Sequence, residues 1–277
     1  MLTQFKNIMI LSKNLEEDSI NISSFLGFKE TSNLNIPELG FKSSVFELLN
    51  SEVHLLSNIA DAKNVYENSF DYKHKNESIF AICLGSNDFL NDYKKFSELG
   101  LNPSKINSGF HEDRDKVKHE IRFFSFPINK TCGLRILISE ASEIQIRDFG
   151  EDVITKINQV VVYASEMESL KELFERKQGV RLALDQEFDF GQGKNRMMFF
   201  KIGGVTIEIV EDTKINKNSY SGIGWHCDSI SLNHKRFSER GFSISPIRKG
   251  RKEGTLVSTI KDAPLSVPTI IIGSDKE

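Results

Sequence analysis

Few stretches of this chain gather side chains that could do chemistry, and most of them fail on spacing. His111-Glu112-Asp113-Arg114-Asp115 concentrates metal-ligand types. Consecutive residues of a strand or loop cannot all face one ion, however, and a solvated charged turn is the better account of them. His119 and Glu120 fall on the expected strand 117–126 with opposite facings, so that one of them can enter a cleft. Gly191-Gln192-Gly193-Lys194 sets glycine beside lysine but has neither the spacing nor the closing hydroxyl of a phosphate loop. Asp189-Phe190-Gly191 lacks the catalytic-loop partner that phosphoryl-transfer chemistry needs. Arg248-Lys249-Gly250-Arg251-Lys252 offers cations to an anion, but a basic hairpin of this kind is usually just a soluble sheet edge. Cys83, Cys132 and Cys227 are odd in number and show no CxxC spacing, so they read as small, buried apolar residues rather than a disulfide framework or thiolate cage.

The positions that matter emerge from a repeat. Asn7-Ile8-Met9-Ile10-Leu11 has a counterpart in Gln159-Val160-Val161-Val162-Tyr163, each an apolar strand leading into a helix-length segment. The two reach a glycine, Gly27 or Gly179, at the same offset, where each glycine can cap its helix. Aligning His54 with Glu208 then superposes residues 41–56 on 195–210 without a gap, matching two further strand pairs. A second repeat interleaves with the first: Lys94-Lys95-Phe96-Ser97-Glu98-Leu99-Gly100 resembles Lys235-Arg236-Phe237-Ser238-Glu239-Arg240-Gly241. Each unit reads strand, helix, then about three strands, with turn signals at Asn50-Ser51, Gly203-Gly204 and Gly250. The expected fold class is therefore α+β, built from four βαβββ modules in the order A, B, A, B. Charge at residues 140–152 breaks the apolar pattern and sets a boundary between domains 1–142 and 153–277; a short helix would fit there too.

Composition narrows the partners. The chain has 277 residues, 39% of them hydrophobic, which is ample for a large core. With 36 Lys+Arg against 39 Asp+Glu, the net charge is −3, lacking the basic excess that a nucleic acid attracts. No apolar run approaches the roughly 20 residues of a membrane span, and Met1-Leu2-Thr3-Gln4-Phe5-Lys6 lacks a signal-peptide pattern, so a cytoplasmic protein without nucleic-acid or membrane partners is expected. The 21 Phe, against one Trp and five Tyr, imply aromatic-rich interiors.

The chain resembles the vicinal oxygen chelate superfamily, the glyoxalase, bleomycin-resistance and extradiol-dioxygenase group. The resemblance is carried best by residues 157–162, 198–210, Gly224-Trp225-His226-Cys227 and 267–272. It implies two glyoxalase-like domains whose mixed sheets curl around a cleft, and a divalent metal (Fe, Mn, Ni, Zn or Mg) held by residues at the start of one strand and on the last strand of a module. Gln159 and Glu208 stand at those two positions. In the fourth module the equivalent place is Gly222 and the last strand has no carboxylate, so His226, sharing a face with Gly222 and Gly224, is the substitute ligand. The alternative is that Gln159 and Glu208 satisfy each other by hydrogen bonding. Asn7 and His54 occupy the corresponding places in the first half and, with Trp225 and Phe200, are candidate pocket residues. The resemblance leaves two functions open. One is a metal-dependent enzyme of lyase, isomerase or dioxygenase type, acting on a small oxygenated, partly apolar metabolite with Glu208 as ligand and proton shuttle. The other is a metal-free protein that sequesters a small molecule. A homodimer is compatible with either.

Overall fold

The structure is a computed structural model, and it describes residues 1–36, 40–58, 79–112, 117–142, 148–189 and 193–274. In the first half the elements run β1 (Leu2–Leu11), α1 (Leu15–Leu26), β2 (Ser32–Ile36), β3 (Phe41–Glu47), β4 (Glu52–Asn58), β5 (Ile79–Ser86), α2 (Phe89–Glu98), β6 (Asn107–Glu112), β7 (Lys118–Ser125) and β8 (Ile136–Glu140). In the second they run β9 (Lys156–Ala164), α3 (Met167–Lys171), β10 (Arg181–Asp189), β11 (Lys194–Ile202), β12 (Val205–Glu211), β13 (Ser219–Ser229), α4 (Ile230–Glu239), β14 (Arg248–Lys249), β15 (Leu256–Ile260) and β16 (Thr269–Ser274). The βαβββ unit thus recurs four times. α3 departs from a plain helix, its last turns widening into a π-helix over Glu172–Lys177.

The two sheets have the same strand order. The first is β1-β4-β3-β2-β6-β7-β8-β5 and closes into a barrel; the second is β10-β11-β12-β9-β13-β16-β15-β14 and stays open. Their registers correspond residue for residue. His54 pairs with Val45 and Met9, while Glu208 pairs with Phe199 and Val161. What differs is one seam. In the first sheet β2 pairs with β6 through Leu34 and His111, whereas β14 has only two residues and pairs with β15 alone. Pro246 just before β14 has no N–H to give a ladder, and Gly250 and Gly254 turn the chain away after it.

Helices and sheets bury a common core. Ile8, Phe25, Ile82 and Phe124 from the first half join Val160, Phe200, Trp225 and Phe237 from the second in a single apolar cluster. At its centre Phe25 meets Trp225 edge to face at 5.3 Å and Phe237 at 5.3 Å. Helix α1 shows how local sequence and tertiary contact combine. Asn14 caps its N-terminus by accepting from Glu17 N, and Glu16, Glu17 and Asp18 lie in the first turn, where carboxylates favour the helix dipole. The last turn carries no basic residue of its own and ends at Gly27, φ +95°. The missing cations come from α4: Arg236 donates to the carbonyls of Ser24 and Phe25, each at 2.9 Å, and Arg240 donates to Ser24 at 2.8 Å.

The halves also meet through equivalent turns. The β11–β12 hairpin turns on Gly203 and Gly204, both with positive φ, which a two-residue turn of this hand requires. Gly203 lies against the backbone of β1, where an added Cβ would stand 2.6 Å from Phe5 N. The matching β3–β4 turn presents Asn50 to β9: its Nδ2 donates to Ile157 O at 2.8 Å and its Oδ1 accepts from Ile157 N at 3.1 Å.

Candidate functional site

The concave face of the second sheet is built by alternation. Val160 and Val162 on β9, Ile207 and Ile209 on β12, and Trp225 and Cys227 on β13 turn toward the helices and are fully or almost fully buried. Their neighbours therefore face the hollow: Gln159, Val161, Thr206, Glu208, Gly222 and Gly224. On β11 the register across the Gly203-Gly204 turn places Phe199 opposite Glu208, and Lys201 opposite Thr206.

Gln159 and Glu208 come together there, with Gln159 Nε2 donating to Glu208 Oε2. Glycine makes this possible. Gln159 lies across Gly224, and a Cβ at that position would stand 2.6 Å from Gln159 Cγ and 3.2 Å from Ile272 Cδ1. Burial pushes the Glu208 carboxyl above its usual range, opposed by the charges of Arg251 and Lys201. Arg251 arrives from the β14–β15 hairpin. Its guanidinium lies 5.6 Å from the centre of the Phe188 ring, and its Nη1 is 3.7 Å from Met197 Sδ, so it reaches across the open seam to β10 and β11.

The other expected site residues are placed elsewhere. His226 is not drawn to Glu208: it pairs in register with Lys156 and Ile272 and its Nε2 lies 3.3 Å from Asp228 Oδ1. A carboxylate two residues along the same strand face is a nearer partner than one two strands away. Phe200 and Trp225 point to the core rather than the hollow, Phe200 against Phe174 at 5.4 Å and Trp225 against Phe25. Period two decides this, since Glu208 in the hollow puts Phe199 there and excludes Phe200. Asn7 and His54 are buried inside the closed first barrel, beside the cluster Phe41, Leu56, Phe80, Cys83, Phe123 and Leu137. His54 turns to Glu52 at 2.7 Å instead of to Asn7. Where the second sheet has Gly222 and Gly224, the first has Ala81 and Cys83, whose side chains fill the equivalent space. The side chains of residues 111–116 and the segment 190–192 lie outside the described residues, as does 143–147 of the expected boundary.

As a metal centre this arrangement does not fit. One carboxylate, one amide whose N–H is turned to that carboxylate, and two cations acting on the same carboxylate are a poor donor set for a divalent ion. Among the described residues no three His, Cys, Asp or Glu side chains gather as a metal-holding group. Sequence reasoning singled out Gln159 and Glu208 but chose Phe200 over its neighbour Phe199 for the pocket and missed Lys201. Both were recoverable, because a two-residue Gly-Gly turn fixes the register of β11 from that of β12.

No family model and no curated protein matches the sequence. Solved structures do match the fold. A variant of 4-hydroxymandelate synthase from Streptomyces coelicolor superposes over 100% of this chain and 94% of its own, at 13% identity and a TM-score of 0.69. A halotolerant catechol dioxygenase superposes over 99% of this chain and 87% of its own, at 9% identity and a TM-score of 0.61. Both likenesses extend over both halves, and with the strand order, the shared register and the four βαβββ units they identify the architecture: the chain has the two-sheet fold of the vicinal oxygen chelate superfamily.

Proposed function

We propose that the hollow of the second sheet binds a small oxygenated, partly apolar molecule without a resident metal ion, with Gln159 and Glu208 as its polar anchors. The observation that carries this reading is the pair itself. An amide and a carboxyl meet above the bare backbone of Gly224, in a hollow that Val161, Phe199 and Met197 also line. Few polar groups converging within apolar walls is the usual make-up of a small-molecule site. Turnover by proton transfer at Glu208 is a second reading, favoured by the upward displacement of its carboxyl, which brings an acid nearer the range useful for acid–base catalysis.

The test combines elemental analysis with a ligand screen read by thermal unfolding of the full chain. We expect no stoichiometric Fe, Mn, Ni, Zn or Mg after metal supplementation. We also expect ligand-induced stabilisation that disappears in Gly224→Ala, whose new methyl displaces Gln159. Stoichiometric metal lost in Glu208→Ala would overturn the metal-free reading in favour of a metalloenzyme. Glu208→Gln separates binding from turnover, since it retains the hydrogen bond to Gln159 but cannot exchange a proton.

A further inference from the structure

The anchors described so far leave a set of cations unexplained. Arg181, the first residue of β10, stands directly opposite Lys201 on β11. Like charges in directly opposed positions of an antiparallel pair repel, and such pairings are normally avoided. This one lies on the row that continues through Thr206 and Gln159 to Gly224, the row that floors the hollow. Lys201 Nζ donates to Thr206 Oγ1, so its ammonium is drawn along that row toward Gln159. From the other side of the open seam, the β14–β15 hairpin delivers Arg251 over Phe188 and Met197. Burial depresses the Lys201 ammonium, and the charges of Lys252, next along the hairpin, and of Arg181 add to that effect. Glu208 acts on Lys201 in the opposite sense, favouring its charged form. Cations from two strands and one hairpin thus stand at one end of the hollow. This is the field that concentrates an anion.

We propose that the molecule bound in the hollow is an organic acid, its oxyanion held between Arg181 and Lys201 and its apolar body resting on Phe199 and Met197. The proposal rests on the pocket reading above and adds the charge class of the ligand. An oxyanion here completes the hydrogen bonding of Lys201 and separates it electrostatically from Arg181. Carboxylate and phosphate share this chemistry.

The experiment measures affinities of the full-length protein for benzoate, phenyl phosphate, benzyl alcohol and inorganic phosphate by calorimetry at low salt. Benzoate or phenyl phosphate is expected to bind at least about tenfold more tightly than benzyl alcohol, as a charge-assisted hydrogen bond implies. The preference should shrink with added salt, be lost in Lys201→Gln and be restored in Lys201→Arg. Which acid binds better identifies the oxyanion. Benzyl alcohol binding as tightly as both acids, with Lys201→Gln unaffected, would overturn the anion assignment and leave the pocket standing. Inorganic phosphate binding that is insensitive to Gly224→Ala, with no aromatic probe bound, would overturn the pocket reading and with it the organic acid. Lys249→Gln, on the same hairpin but outside the proposed set, controls for a loss of net charge.

Discussion

At the scale of single residues, Glu208 sits where two demands conflict. The hollow needs an acid to anchor the Gln159 amide, and burial resists its ionisation. Because the folded protein holds this carboxyl above its ordinary value, ionisation costs stability once the pH rises past the unfolded value of about 4.5. Glu208→Gln is therefore expected to raise the melting temperature at pH 7 to 8, with the gain vanishing below about pH 4; thermal unfolding across pH checks it. A gain that persists at acid pH would mean that burial of the charge is not the cause. Asp185 works in the opposite direction. Hydrogen bonds from Arg196 at 2.7 and 2.8 Å, then from Lys171 at 2.8 Å, lower its carboxyl from 3.8 to about 2. The stabilisation is complete above about pH 4 and is lost as the pH falls through about 2. Asp185→Asn should therefore weaken the protein at neutral pH and converge with the parent in acid, as read from denaturant midpoints at each pH.

At the scale of elements, the repeat was legible because it is written in strand and turn residues. Asn7 with Gln159, and His54 with Glu208, can be matched from the sequence, and the registers of β4 and β12 agree with that match. The partner of His226 was not legible: facing is readable from period two, but the preference for Asp228 depends on where β13 ends. Nor could the sequence tell that the first barrel seals, since pairing of β2 with β6 joins segments far apart along the chain. The turns have sharper consequences. Gly203→Ala must adopt φ +55° and bring a methyl against Phe5 N, so a loss above about 2 kcal/mol is expected in chemical denaturation. Asn50→Ala, at the equivalent turn, strands the N–H and carbonyl of Ile157, for a loss of about 1–3 kcal/mol. If either change were silent, the two turns would not be joining the halves.

At the scale of the whole molecule, the sheets take their strands from residues 2–140 and 156–274, while the core ignores that division. Phe25 packs on Trp225, and Arg236 and Arg240 complete the C-terminus of a helix in the other half. The expected domains 1–142 and 153–277 should accordingly melt together. We expect one calorimetric transition with matching calorimetric and van't Hoff enthalpies, and a fragment 1–142 that does not fold alone. Two separable transitions would show that the shared apolar cluster does not couple them. No helix among the described residues is long and apolar enough to cross a membrane.

The sealed seam of the first barrel and the open seam of the second also set a stoichiometry. Duplication would ordinarily hand a polypeptide a pair of like receptors, with room for cooperativity between them. Here the first copy spends its interior on Phe41, Phe80, Phe123 and Leu137, so, on the proposed function, titration of a single chain is expected to saturate at one equivalent with a hyperbolic isotherm.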